Sequence, residues 1–190
     1  MSFFGKIIGR KKKVKDIKVT VLGPSKAGKT TFIRYLATGE QQLEAPRSTL
    51  GIEYRQKGVE IEDWSFHLID VGGQQVYQDV FWELAIEQAN AFIYVIDSTV
   101  RPNKDVDLFS HQLDQFQYAL GIIPEDSILL ILLNKQDLVD ENPILSKEFT
   151  NFYPLKDTPA KMIAFMPSSA KYGDGITEAM QWFVDALNAG

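Results

Sequence analysis

Short, nearly continuous apolar runs alternate along this chain with longer segments whose apolar residues recur at helical spacing. IKVTVLG (17–23), AFIYVID (91–97), SILLILLN (127–134) and KMIAFMP (161–167) read as strands. AFIYVID and SILLILLN have no polar alternation, as expected for central strands buried on both faces of a parallel sheet. WSFHLID (64–70) alternates before ending on Asp70, and LGIEYRQKGVEI (50–61) forms a second strand beside it around a turn near Asp63. Helical spacing marks KTTFIRYLA (29–37), VYQDVFWELAIEQ (76–88), the stretch from Lys104 to Leu120 ending at Gly121, and ITEAMQWFVDALN (176–188). The last places Ile176, Met180, Phe183, Val184 and Leu187 on one face. Strands alternating with helices predict a doubly wound α/β fold, with helices on both faces of a mostly parallel, six-stranded sheet. No repeat or low-complexity linker interrupts the pattern. The predicted organisation is a basic, amphipathic segment, residues 1–14, and one domain, residues 15–190.

Charge changes the picture at one end. The chain carries −5 overall and +6 on residues 1–18, so the remainder carries −11. An acidic body argues against a nucleic-acid-binding domain, whereas the basic arm suits an anionic surface. The absence of cysteine excludes disulfides, thiolate metal sites, a cysteine nucleophile and cysteine-linked lipids. His67 and His111, the only histidines, are read as one strand residue and one helix residue. No apolar run approaches the length of a membrane span, and residues 1–9 do not form a signal peptide. A cytoplasmic protein is expected.

The candidate chemistry lies in the loops. GPSKAGKTT (23–31) satisfies G-x-x-x-x-G-K-[ST] at every fixed position, directly after a strand and before a helix. Gly23, Ser25, Lys26, Ala27, Gly28 and Thr31 would wrap backbone N–H groups around phosphate oxygens at the positive end of a helix. Lys29 would reach the β- and γ-phosphates, and Thr30 would offer its hydroxyl to Mg2+. NKQD (134–137) follows a strand at the rim where such sheets bind ligands. Asp137 can accept from guanine N1–H and the 2-amino group, and adenine would leave it unpaired; Asn134 and Lys135 belong to the same base-binding motif. Between these motifs lies DVGGQ (70–74): Asp70 is a metal candidate, the Gly73 N–H a γ-phosphate donor, and Gln74 a catalytic side chain that orients the attacking water. Thr49, in STLG, is the second hydroxyl candidate for Mg2+ and part of the catalytic set with Gln74 and Lys29.

With GPSKAGKTT, TLG, DVGGQ, NKQDL and SSAKYGDG in this order, residues 15–188 resemble the Ras-like GTPases, and most closely the ADP-ribosylation-factor (Arf), Arf-like and Sar branch. The resemblance implies a P-loop G domain that binds GTP and GDP with Mg2+, hydrolyses GTP slowly, and serves as a switch in vesicle trafficking. It implies that SSAKYG contributes Ser169, Ala170 and Lys171 to the base site, with an Ala170 N–H for the base oxygen and Lys171 over the ring. Loops around Thr49 and Gly73 would be ordered by the γ-phosphate and released on hydrolysis. An exchange factor, a GTPase-activating protein and an effector at the switches are the implied partners. A GTP-binding scaffold with little turnover is the alternative, disfavoured by the presence of Gln74.

Several positions depart from that branch. SFFGKIIG gathers Phe3, Phe4, Ile7 and Ile8 on one face ahead of RKKK, a pattern for peripheral, reversible contact of residues 1–13 with an anionic membrane. A helix packed on the domain or a solubilising tail are the other readings. Ser2 stands where myristoylation needs glycine, so this contact would rest on the helix and charge alone. The positions matching the branch's exposed effector aromatics are Ile52, Ile69 and Leu84, with Trp64, Phe81 and Trp82 nearby. Lys26 either adds charge near the β–γ bridge or points to water. Arg47 invites comparison with an arginine finger supplied in cis, at an unusual spacing from Thr49.

Overall fold

A computed structural model describes residues 14–44, 46–54, 58–74, 78–155 and 158–190. The basic arm through residue 13 lies outside the described residues, and so does its expected membrane role. The elements in chain order are β1 (Lys15–Leu22), α1 (Lys29–Thr38), β2 (Ile52–Tyr54), β3 (Val59–Ile61), β4 (Trp64–Val71), α2 (Gln78–Glu87), β5 (Ala91–Asp97), α3 (Val106–Ile122), β6 (Ile128–Asn134), α4 (Phe149–Phe152), β7 (Met162–Pro167) and α5 (Ile176–Ala189).

One sheet carries the order β2-β4-β1-β5-β6-β7, with β3 also paired to β4. β1 pairs in parallel with β4 and β5, and β6 with β5 and β7; β2 and β3 run antiparallel to β4. The sheet is therefore six positions wide, as expected, but built from seven strands. The edge segment 50–61 contributes two short pieces instead of one, because its register against β4 shifts between Tyr54↔Ile69 and Val59↔Phe66.

The unbroken apolar character of β5 and β6 follows from burial on both faces. Ala91, Ile93, Val95, Ile128, Leu130 and Leu132 join the core beneath α1 and α5. Phe92, Tyr94, Ile96, Leu129, Ile131 and Leu133 join the core beneath α2, α3 and α4. On α5, Ile176, Met180, Phe183 and Val184 are buried and Leu187 packs against them, as its spacing requires. α3 starts later than expected, because Asp105 caps it by accepting from the Leu108 N–H at 3.0 Å. It also runs through Gly121 to Ile122, with Pro124 just beyond. His67 lies on β4, paired with Asp16, and His111 lies on α3. Among the described residues no helix is long and apolar enough to cross a membrane.

This topology fixes the site. With β4, β1, β5, β6 and β7 parallel, the loops after their carboxyl ends share one rim of the sheet, where α/β folds place their ligands.

Candidate functional site

The loops after β1, β4, β6 and β7, with segment 46–49, enclose a cavity of about 480 Å³. Its two ends differ in chemistry.

At the first end, the chain leaves β1 at Leu22 and enters α1 at Lys29 through a tight turn. Gly28 caps the helix at φ +107°, and a Cβ there would fall 2.2 Å from Asn134 Nδ2. Only glycine fits that conformation and that space. Ser25, Lys26, Gly28, Lys29, Thr30 and Thr31 all line the cavity. Lys29 is almost fully buried, and its Nζ donates to the carbonyls of Gly23 and Pro24, both at 2.7 Å. Burial pulls its pKa down to about 8 against the opposing pull of the Asp70 charge. Gly23 and Ala27 are not in the cavity wall; they serve through carbonyls that accept from Lys29 and Asn134.

Asn134, buried at the end of β6, bridges two loops. Its Nδ2 donates to the Ala27 carbonyl at 2.7 Å, and its Oδ1 accepts the Ala170 N–H at 2.8 Å. The donor that the family resemblance implies for a base oxygen is thus engaged by Asn134, and any contact of Ala170 with a base must share or replace that bond.

Three oxygen-bearing side chains meet beside Lys29. The Thr30 hydroxyl donates to Asp70 Oδ2 at 2.6 Å, the Thr49 hydroxyl donates to the same atom at 3.2 Å, and the two hydroxyls lie 3.0 Å apart. Asp70 is 2% exposed, and among the described residues its Oδ1 is buried without a partner. Desolvation raises its pKa, opposed first by the Thr30 hydrogen bond. A buried carboxylate with an open oxygen and two hydroxyls is an all-oxygen donor set that fits Mg2+, a cation that keeps several waters and substrate phosphates in its shell. No cluster of three carboxylate or imidazole ligands occurs among the described residues.

The loop after β4 closes over this end. The Gly73 carbonyl accepts the Ser25 N–H at 3.1 Å and Gln115 Nε2 of α3 at 3.3 Å. Trp82 Nε1 donates to the Gly72 carbonyl at 3.2 Å, and the Gly72 N–H to the Gly51 carbonyl at 2.8 Å. Gly73 faces the cavity; Gln74 is half-buried and outside its wall.

Lys135, Asp137, Leu138, Ala170 and Lys171 form the other end. Lys135 adopts φ +69° and its Nζ pairs with Asp97 Oδ2 at 2.5 Å. Asp97 Oδ1 accepts from the Thr99 N–H (3.1 Å) and hydroxyl (2.7 Å). Gln136 donates to the carbonyls of Leu133 and Ile144. Ser169 is buried, outside the wall, and accepts the Tyr172 N–H, shaping the loop. Sequence reasoning missed Asp97, Gln136 and Leu138. Asp97 ends the apolar run AFIYVID as Asp70 ends SFHLID, and that shared signal could have found it.

The expected effector positions need correction. Ile69 is 2% exposed, enclosed between the sheet and α2, and Trp82 is fully buried; neither is available to a partner. Ile52 and Phe81 are half-buried against the same core, and Leu84 alone of the three matched positions is exposed. Trp64 packs on the opposite core.

Residues 3–187 match the sequence profile of the ADP-ribosylation factor family. The chain belongs to that family. It is 30% identical to ADP-ribosylation factor F of Dictyostelium discoideum, covering 96% of this chain and 92% of that protein. It is 31% identical to ADP-ribosylation factor-like protein 1 of Saccharomyces cerevisiae (98% and 94% covered) and 29% identical to ADP-ribosylation factor-like protein 3 of Chlamydomonas reinhardtii (97% and 98%). As an Arf-like small GTPase, the protein binds guanine nucleotides and works with regulators and effectors.

Proposed function

We propose that this Arf-like protein is a Mg2+-dependent switch that hydrolyses GTP slowly to GDP and phosphate, and couples its state to reversible membrane contact by residues 1–13. The observation that carries the reading is the convergence, at one end of the cavity, of the Thr30–Thr49–Asp70 cluster with Gly73 packed on the phosphate loop. Mg2+ held there by Thr30, Thr49 and Asp70 would neutralise charge on the phosphates. Lys29 gives up its loop carbonyls to hold the β- and γ-phosphates. Gly73 offers its N–H to the γ-phosphate, and Gln74 swings in to orient the water that attacks it. Thr49 and Gly73 lie on separate segments that both meet the γ-phosphate site, so its loss on hydrolysis releases both. Asp137 selects guanine, with the stems of Lys135 and Lys171 against the base.

Lys29 makes this reading testable by pH. Buried without phosphate, its pKa is about 8. Phosphate oxygens stabilise the ammonium and raise that pKa, so nucleotide binding takes up protons above pH 8 and weakens as pH climbs past that value; below pH 8 this group contributes no pH dependence. Titration calorimetry of GDP into nucleotide-free protein at pH 8.5, in buffers of different ionisation enthalpy, is expected to show net proton uptake. Buffer-independent heats would contradict the assignment of Lys29 to the phosphates.

The membrane coupling is tested by co-sedimentation with anionic liposomes, comparing the full chain with a version lacking residues 1–13, each loaded with GDP or a non-hydrolysable GTP analogue. Only the full chain in the GTP form is expected to pellet. Binding that is absent, or equal in both nucleotide states, would remove the membrane latch and leave a GTPase without it.

A further inference from the structure

We propose that Lys26 is a catalytic residue, a cation supplied in cis to the phosphates during GTP hydrolysis; this rests on the hydrolytic reading above. Lys26 holds φ +65°, a region where a side chain is strained and glycine is free. Five non-glycine residues adopt positive φ among the described residues; Glu62, Asp126 and Asn142 are away from the cavity, whereas Lys26 and Lys135 both line it. Lys135 has a role that explains its place, fixed by Asp97 beside the base end. Lys26 has no such anchor: it is exposed, and no carboxylate pairs with it among the described residues. A side chain kept at a strained position, free of internal partners and opening on the cavity, points to a ligand.

The chemistry of that end selects the ligand atoms. Lys26 lies between Ser25 and Gly28 on the turn that leads into Lys29, and Ser25, Lys26, Gly28, Lys29 and Gly73 all line the cavity. Lys29 is the permanent phosphate cation, but it is buried, with its Nζ held by the carbonyls of Gly23 and Pro24. A second, mobile ammonium on the phosphate loop reaches the phosphates from the solvent side. In hydrolysis the bond between the bridging oxygen and the γ-phosphorus breaks, water supplies the new oxygen, and negative charge builds on the bridge and the β-phosphate. A cation that strengthens its contact as that charge grows lowers the barrier, whereas one that binds GTP and GDP alike does not.

The test is single-turnover GTP hydrolysis by wild type, Lys26→Met, Lys26→Arg and Gln74→Leu, with dissociation rates of fluorescent GDP and GTP-analogue for each, and binding of aluminium fluoride to the GDP form as a mimic of the transferring phosphoryl group. Lys26→Met is expected to slow hydrolysis about tenfold, below the effect of a fully enclosed arginine finger because the site is open to water, and to weaken aluminium fluoride binding while GDP dissociation stays within about twofold. Lys26→Arg is expected to retain most of the rate. Unchanged hydrolysis in Lys26→Met, or equal loosening of GDP and GTP at a normal rate of hydrolysis, would overturn the proposal. Failure of wild type itself to hydrolyse GTP faster than Gln74→Leu would instead overturn the hydrolytic reading on which it rests.

Discussion

Asp137→Asn is expected to exchange preference for guanine for preference for xanthine. The carboxylate offers two acceptors to guanine, which presents two donors, N1–H and the 2-amino group. An asparagine presents one acceptor and one donor. Its amide N–H then faces the guanine amino group, donor against donor, in a site partly closed by Leu138 and Lys171. Xanthine keeps N1–H but carries a carbonyl where guanine carries the amino group, so the pairing is restored. The expected loss of GDP affinity is about 10,000-fold, the scale seen when a polar site faces the wrong hydrogen-bonding partner. XDP affinity should rise by a comparable factor. Competitive displacement of a fluorescent nucleotide by GDP, XDP and ADP reads both changes at once. Undiminished GDP affinity would mean that the base does not lie against Asp137. Because Lys29, Thr30 and Gln74 are untouched, the variant should hydrolyse XTP at close to the wild-type rate for GTP.

Gly73→Ala is expected to separate GTP from GDP. A Cβ at this position would sit 2.4 Å from Pro24 C and Ser25 N and 2.5 Å from the Gly23 carbonyl oxygen. These are backbone atoms of the phosphate loop and cannot swing aside. The DVGG loop must therefore withdraw, giving up the Ser25 N–H bond to the Gly73 carbonyl. GDP asks nothing of this loop, so its affinity should stay within about threefold of wild type. GTP binding draws the loop in, so hydrolysis should fall about 100-fold, the usual scale for losing one well-placed transition-state donor together with a positioned water. Paired measurements of GDP dissociation and single-turnover hydrolysis check this; equal losses in both would show that the variant damages the phosphate loop itself.

The same contact shows where sequence reading stops. The phosphate loop and NKQD were legible because their fixed residues are dictated by local backbone geometry and by the chemistry of one ligand. The parallel strands were legible because burial on both faces leaves β5 and β6 no charged or amide side chain before their last residues, Asp97 and Asn134. The split of 50–61 into β2 and β3 was not: one apolar pattern fits one long strand or two short ones, and only the register against β4 decides. α4 and the 3-10 turns at 139–141 and 146–148 escaped because each is a single turn, too short for periodicity. The second tier of the site was equally hidden. Asp97 and Gln115 act through pairings with residues far along the chain, Asp97 with Lys135 and Gln115 with Gly73. Ile69 misled for the opposite reason, since matching it to an exposed position of relatives ignored that an aliphatic side chain there can turn under α2.

The most direct test of the account is GTP turnover by the purified full chain, with and without Mg2+ and in competition with a hundredfold excess of ATP. Slow, Mg2+-dependent release of phosphate from GTP, unaffected by ATP and abolished in Thr30→Ala, is the expected result. Tight GTP binding with no Mg2+-dependent turnover would contradict it and make the protein a nucleotide-dependent scaffold, whereas displacement by ATP would contradict the assignment of Asp137 and with it the orientation of the whole site.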